Sequence, residues 1–341
     1  MTGMSRRALW AVVAVVLLIA AALYFSGTFR LRQTPQSSGP IMHASLRLKW
    51  LYDPGFAGEM VAAKAGLFQQ HGLEVDIRPG GFDADSIKLV ASGADTIGVA
   101  GADTFLLARA KGVPIVAFAA GYQQTGVAFY ARKDAGIASP KDFIGHTVGY
   151  QAGQDTGTIY QALLNKLGVD RSKITEVPVK FDFAPFLTHQ VDVWPGYAAT
   201  QSYILHQKGI PYVVMLPADY GLNYLGTVYF ATEDTIKNNP KLIQAFVDGL
   251  IGGWQMTYSQ EDKAIPLISS YDPQNLTPDL VRWNLDIQKN QILPAGSRYD
   301  EFSLDQWRQT ENILQAQGLL SKPVDLSSAV TMQFLTTHYA R

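Results

Sequence analysis

The chain contains no cysteine in 341 residues. That one absence removes disulfides, thiolate metal sites and cysteine nucleophiles together. Its six histidines are scattered without metal-ligand spacing, and neither HExxH nor GxSxG is present, so no catalytic residue, metal ligand or cofactor is assigned. Charge is also scarce. Charged residues make up 17% and the formal net charge is -1, which leaves no basic excess for nucleic acid. Hydrophobic residues are plentiful at 47%, enough to bury a large core or the cores of two lobes.

Residues 8–25 form an unbroken apolar run preceded by Arg6 and Arg7. The run is long enough for a membrane-spanning helix, and the arginines place its start in the cytoplasm. Residues 1–30 are therefore expected to be a signal anchor or uncleaved signal that puts the rest outside the cytoplasm, tethered to the inner membrane through 8–25 or secreted after cleavage at the alanines 20–22. Residues 31–45, with prolines, serines and a glycine, are expected to be a flexible tether.

The body reads as alternating strands and helices. Leu46, Leu48 and Trp50 alternate as a strand, Asp53-Pro54-Gly55 marks a turn, and residues 56–68 carry apolar residues at helical spacing. In open α/β sheets, ligands collect beyond the carboxyl ends of strands, opposite helix N-termini, which makes Trp50, Asp53 and Phe56 candidates. Gly101 and Asp103 occupy the equivalent position after a strand at 96–100, Asp103 doubling as a plausible N-cap. Tyr122 follows a strand at 114–118. In a second cycle, the loop Gly153-Gln154-Asp155 opens a helix after a strand at 146–150. Lacking the GKS/T ending of a P-loop and the GxGxxG spacing, it suits a polar ligand group without specifying a nucleotide. Trp194 and Tyr197 end a further strand, and Tyr220 and Tyr224 close the region. The amphipathic stretches 241–258, 278–290 and 303–317 read as helices packed outside a sheet, with no chemistry of their own.

Four segments together resemble the type II periplasmic solute-binding proteins of ABC importers, in the group related to thiamine-pyrimidine synthase and to sulfonate and taurine binders. They are residues 50–62 around Phe56-Ala57-Gly58; Gly66-Leu67-Phe68 running into 72–75; Val191-Asp192-Val193-Trp194-Pro195-Gly196-Tyr197; and Pro217-Ala218-Asp219-Tyr220-Gly221. The resemblance implies an α/β fold of two lobes joined by two crossing strands, with 46–131 and 226–341 as lobe I, 132–225 as lobe II, and a hinge at 130–132 and 227–230. It also implies departures from the synthases. Ala100 stands in place of their cofactor-binding lysine, Thr104 in place of a histidine, and 222–227 in place of a cysteine run. A non-enzymatic binding protein is the expectation that follows.

The expected function is the solute-binding component of an ABC importer that captures a small aromatic heterocycle resembling a thiamine pyrimidine precursor. Riboflavin or a sulfonate such as taurine is the alternative ligand; a pyrimidine synthase-like enzyme or a ligand sensor is the alternative class. In this reading Trp50 and Trp194 face each other across the cleft and sandwich the ring, while Asp53, Asp103, Gln154 and Asp155 read its edges. The expected partners are the ligand, a permease and the membrane, for a protein that is itself monomeric.

Overall fold

A computed structural model describes residues 40–341 except Phe82, Gly153, Phe181 and Asn223. The expected membrane helix and most of the expected tether lie outside the described residues, as does Gly153. Among the described residues, no helix is long and apolar enough to cross a membrane.

Among the described residues, ten strands form two five-stranded sheets. The first has the order β2-β1-β3-β10-β4, from β1 (Met42–Arg47), β2 (Leu73–Arg78), β3 (Ile97–Gly101), β4 (Ile115–Ala119) and β10 (Thr227–Thr232). The second has the order β7-β6-β8-β5-β9, from β5 (Val127–Arg132), β6 (Thr147–Tyr150), β7 (Thr175–Pro178), β8 (Val193–Tyr197) and β9 (Tyr212–Met215). Four strands of each sheet run in one direction, and the fifth, β10 or β5, runs antiparallel between two of them. Each antiparallel strand enters directly after the chain has crossed from the other sheet. Helices cover the sheets on both faces, so an inner strand such as Thr227–Thr232 is buried along nearly its whole length instead of alternating.

Two details differ from the sequence reading. The first strand starts at Met42, so residues 42–45 of the expected tether are paired with β2, where Ala44 and Ser45 are buried. The strand Val127–Arg132, assigned to lobe I and the hinge, instead lies inside the second sheet between β8 and β9; residues 227–230 likewise lie inside the first sheet. The passages between sheets are residues 120–126 and the longer stretch after β9 that ends in 224–226. They bond to one another through Gly226 N to Tyr122 O at 2.9 Å and Thr125 N to Tyr224 O at 2.8 Å. They also bond to their surroundings, through Ala120 N to Asp300 O at 2.9 Å, Gln124 N to Gln291 O at 3.1 Å and Ala102 N to Gly226 O at 2.9 Å.

The opening motif also resolves into pieces. A 3-10 turn, Pro54–Phe56, is capped by Asp53 and leads into the helix Ala57–Lys64; Gly66, at φ 72°, then separates it from a short helix, Leu67–Gln70. Gly58 serves packing. A Cβ there would sit 2.4 Å from the Trp254 ring, and one at Gly253 would sit 2.0 Å from the Gly58 carbonyl, so the helices Ala57–Lys64 and Pro240–Ser259 touch backbone to backbone.

Candidate functional site

The carboxyl ends of the inner strands of the two sheets meet where the chain crosses between them, and the side chains there are polar. Asp53, in the turn after β1, accepts a bond from Gly55 N at 2.7 Å. Asp103 lies in the first turn of the helix Ala102–Ala110, two residues too late to be its cap; Gly101 holds the N-cap position. Its carboxylate takes the Thr104 N–H at 2.7 Å and folds back over the strand end, where a Cβ on Gly101 would lie 2.5 Å from Oδ1. From the second lobe, Asp155 opens the helix Asp155–Leu167 and accepts from Thr156 N at 2.8 Å. Tyr197, the last residue of β8, donates its hydroxyl to Asp155, 2.9 and 2.8 Å from the two carboxylate oxygens.

Electrostatics tie these groups into one cluster. Burial raises the Tyr197 phenol well above its ordinary value, and Asp155, Asp103 and Asp53 add to it in that order. Burial and then the Asp155 charge push Asp103 up to about 6, against the Thr104 amide, Lys49 and Tyr224, which pull it down. Asp53 is raised by burial, opposed by the Gly55 amide and Lys49. Tyr224, also buried, is raised by burial and then by Asp103 and Asp155. Lys49 is the cation of the group. Its Nζ stands over the Tyr197 ring, 5.7 Å from the centroid, and so spans the two lobes. Tyr122 closes the floor: its hydroxyl donates to Gln288 Oε1 at 2.7 Å, and Gln288 Nε2 donates to Pro54 O at 2.9 Å.

Of the residues singled out from the sequence, Asp53, Gly101, Asp103, Tyr122, Asp155, Tyr197 and Tyr224 come together here. Gln154 is exposed beside Asp155 and caps its helix through its backbone alone. Trp50 is half-buried just past β1, packed against the first lobe's core. Three others are elsewhere. Trp194 does not face Trp50: it is 1% exposed in a core cluster of the second lobe, edge-on to Phe183 at 5.3 Å. The reason is its place inside β8, where the side chain points to one covered face of the sheet, while Tyr197 at the strand end reaches the cleft. Phe56 is in the first lobe's core because its 3-10 turn rotates the ring inward. Tyr220 lies in a 3-10 turn on the outside of the second lobe, beside Asp219 and Asp142.

Lys49 and Gln288 were not expected. Lys49 has a faint signal, a cation between Leu48 and Trp50 just past the first strand. Gln288 has a better one. The buried stripe of the helix Pro278–Ile292 runs Val281, Asn284, Leu285, Gln288, Gln291 and Ile292, so three amides interrupt an otherwise apolar face. That helix packs on the turn Pro54–Phe56 and on the helices Ala198–Gln207 and Glu261–Ser269. A cavity of about 350 Å³ lined by Arg132, Lys133, Asp134, Ile210 and Pro211 sits at the other end of β5 and shares none of these residues.

Residues 53–264 match a family model described as NMT1/THI5 like. The chain is 29% identical over 316 residues to riboflavin-binding protein RibY of Chloroflexus aurantiacus, covering 88% of each. It is 26% identical over 282 residues to the formylaminopyrimidine-binding protein of Halalkalibacterium halodurans, covering 80% of this chain and 85% of that one. In fold it is similar to the periplasmic aliphatic sulphonate binding protein SsuA from Escherichia coli, with a TM-score of 0.69 at 19% identity over 86% of this chain and 93% of the other.

Proposed function

Because the chain belongs to the NMT1/THI5-like family, we propose that it is a solute-binding protein whose interlobe cleft captures a flat heterocycle rich in N–H donors, such as an aminopyrimidine, for an ABC-type permease. The observation that carries this reading is the acceptor excess around Tyr197: Asp53, Asp103 and Asp155 face it, with Lys49 as the cation among them. A ring amino or imino group supplies donors that the three carboxylates lack, and each buried bond between a charged acceptor and a neutral donor is worth about 1.5 to 3 kcal/mol. Tyr122, Tyr197 and Trp50 offer the ring surfaces. The names of the two relatives above, one for riboflavin and one for formylaminopyrimidine, belong to this chemical class.

The same charge pattern argues against a sulfonate. An anion entering a site with three carboxylates and one lysine meets net repulsion in a partly desolvated space, where screening is weak. Synthase chemistry is disfavoured by residues: Ala100 and Thr104 carry no amine or imidazole, and the chain has no thiol. Delivery to a permease requires the body to lie outside the cytoplasm, and the apolar residues 8–25 would provide the export signal or tether. Mass spectrometry of small molecules released from natively purified protein tests the reading. A pyrimidine or flavin supports it; an alkanesulfonate as the sole stoichiometric species overturns it.

A further inference from the structure

The helix Pro278–Ile292 belongs to the first lobe by its core residues Val281, Leu285 and Ile292, yet one side chain on it is spent on the second lobe. Trp283 donates its indole Nε1–H to Ser202 Oγ at 2.9 Å, and Ser202 is buried. The indole stacks on His206 with centroids 4.4 Å apart and planes at 27°, and Tyr203 meets its edge at 6.2 Å. All three partners lie on the helix Ala198–Gln207, which begins immediately after the cleft residue Tyr197. Five residues further along its own helix is Gln288, roughly 7.5 Å away at 1.5 Å rise per residue, bonded to Tyr122 and Pro54 in the cleft floor. One rigid helix therefore joins the floor of the cleft to the wall that carries Tyr197.

We propose that Trp283 is a latch: its contact with Ser202, Tyr203 and His206 holds the two lobes closed and sets ligand affinity from outside the cleft. This rests on the reading above, in which the lobes close over a ligand. The crossings at 120–126 and 224–226 fix where the lobes pivot, and the Trp283 contact lies away from them, where it bears on the angle. An indole that gives one hydrogen bond to a buried hydroxyl and one aromatic stack is lost when the lobes separate, so it biases the closed state. An aromatic stack of this kind is worth about 0.5 to 1.5 kcal/mol beyond its area, and the hydrogen bond about as much. Together they correspond to a closed-to-open ratio on the order of tenfold or more higher than without them. A ligand that binds the closed state has its apparent affinity reduced by the fraction of molecules that are open, so loss of the latch weakens binding without touching a ligand contact.

The test uses the absence of native thiols. Lys88→Cys in the first lobe and Lys173→Cys in the second, both at side chains more than 60% exposed, carry the only two spin labels, and pulsed dipolar spectroscopy reads the interlobe distance in the ligand-free chain. Trp283→Ala is expected to move the distribution to longer distances, with the closed fraction relative to open falling about tenfold; Ser202→Ala is expected to move it about threefold in the same direction. Unchanged distributions in both folded variants overturn the latch. If Trp283→Ala does not fold, Ser202→Ala and the exposed His206→Ala decide by the same criterion. Riboflavin added to the labelled native chain checks the underlying reading separately. No response to it or to an aminopyrimidine counts against the ligand class, while a shift in the ligand-free variants still establishes the latch.

Discussion

Two groups of carboxyls in the first lobe, one in the cleft and one in the core, face tyrosines. In the cleft, Asp53 and Asp103, joined by Asp155 from the second lobe, surround Tyr197, and each carboxylate is held by one backbone amide at 2.7 or 2.8 Å. In the core behind it, Glu59 accepts the Tyr229 hydroxyl at 2.9 Å through Oε1, while Glu59 Oε2 and both carboxylate oxygens of Asp300 have no hydrogen-bond partner among the described residues. Glu59 and Asp300 are both 0% exposed. Burial raises Asp53 and Asp103 in the cleft, and in the core it pushes Glu59 up to about 7 and Asp300 well above the carboxylate range. The remedies differ. A sealed acid relieves the cost of its charge by keeping a proton, whereas a cleft acid can be relieved by a ligand's donor, so unsatisfied acceptor capacity becomes a binding determinant only where a ligand can reach it.

Substitutions should therefore separate into those that change folding and those that change binding. The largest expected effect is Trp194→Ala. With its ring in a closed core cluster against Phe183, the variant should lose about 3 to 5 kcal/mol of stability in the ligand-free state, measured by urea unfolding, while any folded fraction keeps native affinity. A stable variant with weakened binding would instead place the indole in the cleft.

Glu59 comes next. Its folded-state pKa is raised from 4.5 to about 7, so the stability it supports is fully present below pH 4.5 and is lost as the pH rises through 7. That loss is on the order of 3 kcal/mol. Glu59→Gln keeps an acceptor for Tyr229 and removes the titration, so its unfolding free energy should vary less than that of the native chain between pH 5 and 8. Parallel pH profiles for the two would mean that Glu59 is not held protonated.

On the cleft side, Asp103→Asn should weaken binding of an N–H-bearing heterocycle by about 1 to 3 kcal/mol in calorimetry. The raised Asp103 pKa also carries a stability cost that appears as the pH rises through about 6, so the same variant should melt higher than the native chain at pH 8 and equally at pH 3.5. For the native chain, affinity should fall as the pH drops through about 6 and Asp103 takes a proton. A variant that lost affinity and stability together would show Asp103 to be structural. The smallest change expected is Tyr197→Phe, which keeps the ring under Lys49 and removes the hydroxyl bond to Asp155. It should weaken binding by about 0.5 to 1.5 kcal/mol.

The alternation of strands and helices is readable because strands such as β3 and β4 are short apolar runs and β2 alternates cleanly in burial. The two-lobe plan followed from segments such as 191–197. Asp53, Asp103 and Asp155 were found from position alone, since each comes just after a strand or opens a helix. What the sequence misplaced are residues whose facing depends on a rotation. Trp194 and Tyr197 differ by three places on one strand, and only register separates core from cleft. Gln288 was hidden because tertiary packing, not helical periodicity, brings the helix Pro278–Ile292 over the turn at Pro54. The crossing points shifted for a related reason: strands that read as exits from a lobe are in fact central strands of the sheet they enter.

The central claim is that the acceptor-rich cleft selects donors and rejects anions. Calorimetric titration of the ligand-stripped chain at pH 7.5 with 4-amino-5-hydroxymethyl-2-methylpyrimidine, riboflavin and ethanesulfonate tests it most directly. The account predicts saturable binding of at least one of the two N–H-bearing rings and none of the sulfonate. Tight sulfonate binding with no response to either ring would contradict it.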